Sequence, residues 1–184
     1  GNIFNKLIKY DKNLELAPEI AEKWTISSDQ KTITFYLKKN LKWSDGHDLT
    51  SEDVLFTWKL VTDDKTRTPY GSDYKLVDKA EVPDLHTFRV VYKKAYAPAL
   101  DSWATLQILP KHILKDEDIN RTFFSRKPVG SSYYKLANWV NGEKLTLEAS
   151  SSSVMGEPNI SKLTSRFIPD TSSQFLELIA DNID

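Results

Sequence analysis

Apolar and polar residues alternate strictly through Thr32-Ile33-Thr34-Phe35-Tyr36-Leu37, which puts Ile33, Phe35 and Leu37 on one face and predicts a half-buried strand. A helix follows: Thr50 can cap it, Asp53 can answer from the third helical position, and Val54, Leu55, Trp58 and Val61 form its inward stripe. Glu52 and Asp53 stand at the favourable end of its dipole. Upstream, the spacing of Ile3, Leu7 and Ile8 is helical, and a short helix is expected from Pro18 to Trp24 with Ile20, Ala21 and Trp24 facing the core. Thr62 to Gly71 is polar and is expected to be loop.

Val77 to Val82 and Phe88 to Tyr92 predict two antiparallel strands joined at Pro83-Asp84. Ala97 to Leu109 shows no clear period, and Pro110 should open a short helix through Leu114. Beyond the polar stretch Lys115 to Lys127, Tyr133 to Val140 and Glu143 to Glu148 predict a hairpin about Asn141-Gly142, a pair suited to a type I′ turn. Ser150 to Ser153 is a connector, Leu163 to Ile168 a strand, and Asp170 to Ala180 a helix turning Phe175, Leu178 and Ile179 inward. Without β-α-β phasing, the fold class is α+β, with mixed, largely antiparallel sheets and flanking helices.

Composition narrows the functional classes. The 184 residues are 40% hydrophobic and 28% charged, those of an ordinary globular chain. At this length roughly 70% of the unfolded surface can be buried, enough for one sizeable core or for one core with a small appendage. The 25 Lys and Arg nearly balance the 26 Asp and Glu without a long block of either sign, which argues against nucleic acid as a partner. No apolar run approaches the roughly 18 residues of a bilayer span, and Gly1-Asn2-Ile3-Phe4 is unlike a signal peptide, so any export signal is expected outside the stretch. The absence of cysteine excludes disulfides, thiolate metal sites and a cysteine nucleophile.

Residues with chemical potential are few. His47, His86 and His112 lie far apart without a local pairing, and no metal site is expected. Asp45-Gly46-His47-Asp48 could in principle supply acid-base groups, but a turn before a capped helix explains it more simply. Glu52 and Asp53 are better explained as a first helical turn than as a glycosidase pair. Ser131-Ser132 lacks the Gly-x-Ser-x-Gly pattern of a strained nucleophile. Gly130 with Ser131, Ser132 and the tyrosines after them offers N–H groups, hydroxyls and an aromatic face, and reads equally as a polar ligand loop or a tight bend. Trp24, Trp43, Trp58 and Trp139 fit core positions, and Trp103 is the tryptophan least committed to a core.

Several segments in order resemble the family 5 extracellular solute-binding proteins, receptors of dipeptide, oligopeptide and nickel ABC importers. Leu16-Ala17-Pro18-Glu19-Ile20-Ala21-Glu22-Lys23-Trp24 is similar to the family's L-x-P-x-L-A-E-S-W. Thr32 to Leu41 with Lys42-Trp43-Ser44-Asp45-Gly46 resembles its tytFxLrkgvkFhDG run, and Leu49-Thr50-Ser51-Glu52-Asp53-Val54 its lTAeDV helix start. Lys127-Pro128-Val129-Gly130-Ser131-Ser132-Tyr133-Tyr134-Lys135-Leu136 is similar to P-V-G-T-G-P-Y-K-L, and Phe167-Ile168-Pro169-Asp170 with Leu178 to Asp184 to the closing ipD...L..GeiD. Two departures stand out. Ser132 and Tyr133 occupy the places of the loop's second glycine and proline, and Leu147-Glu148-Ala149-Ser150, running on to Val154-Met155-Gly156-Glu157-Pro158, lacks the arginine, asparagine and aromatic of L-E-R-N-x-x-Y.

The resemblance implies part of a periplasmic-binding-protein-like type II fold, with residues 1–125 as the family's small domain and 126–184 as part of its first large domain, in lobe I. The chain is expected to be a fragment, ending after its last helix and lacking a second lobe. The implied function is the substrate-binding component of an ABC importer, for peptides, without catalysis or cofactor. It would be a periplasmic or extracellular monomer that docks on membrane permease subunits, with any lipid anchor on a segment outside this chain. Candidate cleft-wall residues are Tyr70, Trp103, Gln107, Gly130, Ser131, Ser132 and Tyr133. In peptide-binding members the aspartate that fixes the ligand's amino terminus lies in the second lobe, so weak or no binding is expected of this chain alone. A carbohydrate-binding module, motivated by the aromatic content, and a hydrolase using Asp45, His47 or Asp48 are the alternatives.

Overall fold

The computed structural model describes every residue except Ser152, Val154 and Met155. Those parts of the predicted serine connector and of the departure at Val154-Met155 therefore lie outside the described residues. In chain order the elements are β1 (Ile8–Tyr10), β2 (Leu16–Pro18), β3 (Ala21–Ile26), β4 (Thr32–Leu37), α1 (Ser51–Thr62), α2 (Gly71–Tyr74), β5 (Val77–Asp84) and β6 (Thr87–Tyr92). They continue with α3 (Ala99–Trp103), α4 (Lys111–Leu114), a 3-10 turn at Phe123–Arg126, β7 (Tyr134–Val140), β8 (Lys144–Ala149), β9 (Lys162–Arg166) and α5 (Thr171–Ile179). The strands form a two-stranded sheet β1-β2, a four-stranded sheet β3-β4-β6-β5 and a three-stranded sheet β7-β8-β9. Every named strand pair is antiparallel, and the fold is α+β as expected.

The core lies at the middle of the four-stranded sheet. Register pairs Phe35 with Phe88 and Ile33 with Val90 across β4 and β6, and all four side chains are buried. The Phe35 and Phe88 rings stack with centroids 6.5 Å apart, and Trp103 from α3 approaches both, at 5.9 Å and 5.3 Å. Trp103 is fully buried, and its indole N–H donates to the Tyr92 hydroxyl at 3.0 Å. The segment without a readable period thus supplies the ring at the centre of the core.

Helix α1 begins as expected. Thr50 accepts from the Glu52 N–H and Asp53 accepts from the Thr50 N–H, completing a capping box. Its buried face is more polar than the apolar stripe suggested: Val54 and Val61 are buried, Leu55 and Trp58 are half-buried, and Ser51, Asp53 and Thr57 are buried with them. Each polar group has a tertiary task. Ser51 donates to the Asp84 carbonyl at 2.6 Å, Asp53 accepts from the Lys111 N–H at 2.9 Å, and Thr57 accepts from the Leu109 N–H at 2.9 Å. These bonds tie the helix to the β5–β6 turn and to the segment entering α4.

Four local expectations are corrected. The segments predicted as N-terminal helices fall on β1, the end of β2 and β3, because β1 pairs with β2 and β3 with β4 through backbone hydrogen bonds between strands, which the spacing of apolar residues does not record. The β5–β6 turn sits at Leu85-His86 rather than Pro83-Asp84, since Asp84 still pairs with Thr87. At the β7–β8 turn only Gly142 has positive φ, 73°, and β8 restarts at Lys144, so a three-residue loop replaces the type I′ turn. Helix α5 keeps Phe175, Leu178 and Ile179 exposed at 51–66% instead of turning them inward; its cap at Asp170 is as expected.

Candidate functional site

The N-terminal segment is the centre on which most of the candidate residues converge. On one side the Ile108 N–H donates to the Asn5 carbonyl at 2.9 Å, and Lys6 bridges Gln107. On the other, the N–H groups of Ser131 and Ser132 both donate to the Ile3 carbonyl, at 2.9 Å and 3.0 Å, and that of Tyr134 to Asn2 at 3.0 Å. Side chains reinforce the pairing: Ser131 Oγ accepts from the Asn5 N–H at 3.2 Å, and Ser132 Oγ donates to the Gly1 carbonyl at 2.8 Å.

Gly130 makes this approach possible. A Cβ there would stand 2.3 Å from the Ile3 carbonyl oxygen and 2.6 Å from its side chain, so only glycine fits. Of the two readings of this loop, the tight structural one accounts for Gly130, Ser131 and Ser132: all are buried, with their polar groups committed to the chain itself. Tyr133 is half-buried at the loop's end.

Tyr70 and Gln107 are placed differently. Both are exposed, and both line a recess of about 580 Å³ whose floor includes Leu60, Val61, Tyr74 and Leu106. Tyr70 is 69% exposed and presents its ring at the rim. Beneath it, the Tyr74 hydroxyl donates to the Ser102 carbonyl at 2.7 Å, which fixes the floor against α3. The recess has the character of a binding wall: an apolar base with rim groups able to hydrogen bond. Trp103, by contrast, has no accessible surface to offer a ligand. The structure therefore brings Tyr70 and Gln107 together, places Gly130, Ser131 and Ser132 against the adjoining N-terminal segment, and puts Trp103 in the core.

One cluster was not legible in the sequence. His47 and His112 meet with ring centroids 4.2 Å apart, and Asp45 lies between them: its carboxylate is 2.7 Å from His112 Nε2 and 3.3 Å from His47 Nδ1. Asp45 also accepts from the His47 N–H at 3.1 Å. Partial burial pushes the Asp45 carboxyl upward, but the bonds from His112 and His47 together hold it below the usual carboxylate range. Asp48 turns away and pairs with Lys42. The histidines have no local pairing in the sequence; His47 and His112 meet because α4 returns over the turn before α1, bringing His112 to Asp45 from 67 positions away.

The tryptophans that motivated the carbohydrate-binding alternative are largely packed into the fold. Trp43 and Trp103 are fully buried, and Trp24, Trp58 and Trp139 are half-buried. That leaves a carbohydrate-binding module without support. Among the described residues no helix is long and apolar enough to cross a membrane.

Set beside known structures, this architecture is part of a periplasmic-binding-protein type II fold. NikZ from Campylobacter jejuni, solved in complex with Ni(L-His), superposes with a TM-score of 0.94 at 26% identity, covering 100% of this chain and 37% of NikZ. The oligopeptide-binding protein AppA from Bacillus subtilis, solved with a nonapeptide, superposes with a TM-score of 0.90 over 99% of this chain and 37% of AppA. In sequence, AppA is 31% identical over 189 residues, covering 98% of this chain and 34% of AppA. The profile of the bacterial extracellular solute-binding proteins, family 5 Middle, matches residues 15–184. The chain belongs to that family, and it spans about a third of the length of the curated relatives it matches.

Proposed function

We propose that the protein is the substrate-binding component of an ABC importer, that its solute is a peptide, and that it grips and releases the solute without altering its bonds. The supporting observation is the match of nearly the whole chain, in sequence and in backbone, to AppA of Bacillus subtilis, an oligopeptide-binding protein. In this reading residues 1–125 are the small domain and 126–184 part of the first large domain of lobe I. The intact receptor is a monomer in the periplasm or outside the cell, and it closes over its solute by a hinge and docks on membrane permease subunits.

Tyr70, Gln107 and Tyr133 are the side chains proposed to reach the solute, because they retain accessible surface. Gly130, Ser131 and Ser132 act behind them by holding the N-terminal segment, and Trp103 by holding α3. The test is native mass spectrometry of the full-length receptor purified from its host. A co-purifying peptide is expected, and Tyr70→Ala should lower its occupancy while leaving the fold unchanged. Recovery of a non-peptide solute, or turnover of any bound compound, would overturn the reading.

A further inference from the structure

We propose that Asp45, His47 and His112 form a surface site for a borderline divalent transition-metal ion such as zinc or nickel, separate from the solute recess. One ligating atom from each residue lies within 4.8 Å of the other two. The set is two imidazoles and one carboxylate, a donor combination that suits zinc, nickel and copper and leaves magnesium and calcium poorly served.

The geometry goes beyond a chance meeting of exposed groups. Asp45 and His47 are pinned by one turn, in which Gly46 adopts φ 92° and the His47 N–H bonds the Asp45 carboxylate. The Trp43 N–H donates to the His47 carbonyl at 2.9 Å, anchoring that turn to a buried residue. His112 comes from α4, whose entry is fixed by the bond from the Lys111 N–H to Asp53. The Trp43 ring, 6.3 Å from that of His112, backs the site with an apolar wall. Two of the three ligands are thus positioned by the fold.

The third supplies the adjustment. Ligands at the usual metal distance of about 2.1 Å stand about 3.4 Å apart in a tetrahedral shell, so the 2.7 Å contact between Asp45 and His112 must open by about 0.7 Å while the widest donor pair, up to 4.8 Å apart, closes by as much as about 1.4 Å. The His47 side chain is 63% exposed and can rotate to supply most of the closure, whereas that of His112 is 24% exposed and needs only the small opening from Asp45. An ion entering between Asp45 Oδ2 and His112 Nε2 takes the place of the hydrogen in their 2.7 Å contact, and the neutral imidazole then carries its proton on Nδ1. Water completes the shell on the open side. Because the ligands come from two separate parts of the chain, occupancy ties the turn before α1 to α4.

The test uses the protein purified without a polyhistidine tag and stripped of metal with EDTA, titrated calorimetrically with zinc chloride and with nickel chloride. One equivalent is expected to bind and to raise Tm, with no saturable heat from magnesium or calcium. His47→Ala, at an exposed position, should weaken binding at least tenfold with an unchanged circular dichroism spectrum, as should Asp45→Asn, while His86→Gln should not alter affinity. Failure of the wild-type protein to take up one equivalent, wild-type affinity in His47→Ala, or loss of binding in His86→Gln would each overturn the proposal.

Discussion

Asn5 and Ser131 bond each other twice: the Asn5 N–H donates to Ser131 Oγ at 3.2 Å, and Asn5 Nδ2 donates to the Ser131 carbonyl at 3.1 Å. Both residues are buried, and the pair joins positions 126 residues apart. Beside it Gly130 lies against Ile3 with no room for a side chain. Replacement should therefore hurt unequally. Ser131→Ala loses one modest hydrogen bond and should cost about 1 kcal/mol, while Gly130→Ala must push the N-terminal segment away and should cost about 2–4 kcal/mol. Urea denaturation of the two variants would measure the gap, and equal losses would show that the close approach is not what holds this segment.

Asp53 does two jobs from one buried position, accepting from the Thr50 N–H to cap α1 and from the Lys111 N–H to anchor α4. Burial raises its pKa, and the two backbone donors oppose that shift. Asp53→Ala should cost about 2 kcal/mol and Thr50→Ala about 1 kcal/mol. The double variant should lose less than the sum, because both substitutions break the same capping box. Strict additivity in denaturant titrations would contradict that coupling.

The Tyr92 hydroxyl accepts from Trp103 in the core, and burial pushes its pKa up to about 12. Since the unfolded phenol ionises near pH 10, the unfolded state loses its proton first as pH rises. Stability should then fall between about pH 10 and about pH 12, by as much as about 1.4 kcal/mol per pH unit from this group, with no effect from it below that window. Tyr92→Phe should flatten the difference in that window while costing about 1–3 kcal/mol at neutral pH, because the buried Trp103 N–H loses its acceptor. Parallel alkaline profiles for the two proteins would rule this out.

Helix α5 has a sound N-cap and an ion pair from Glu177 to Arg166 at 2.8 Å, yet its apolar residues face solvent. A short helix without a packed face is marginal in water. Amide hydrogen exchange in α5 should therefore be at least a hundredfold faster than at the buried face of α1, by mass spectrometry of peptic fragments. Comparable protection in the two helices would show that local propensity alone sustains α5.

What the residues alone determined is whatever depends on near neighbours. The alternation of Ile33, Phe35 and Leu37, the Thr50–Asp53 box, the Asp170 cap and the α4 start at Pro110 are each written within a few positions, and all stand in the structure. The family was legible too, since its motifs are short and ordered runs. Tertiary structure alone decided the rest. It placed Trp103 at the centre of the core, made strands of the segments before Thr32, committed Asp53 and Thr57 to partners in the 109–111 segment, and carried His112 back to Asp45 and His47. The physical reason is common to all four: core burial, strand pairing, a long-range hydrogen bond and a meeting of side chains depend on distances through space, and the period of a linear sequence does not encode them.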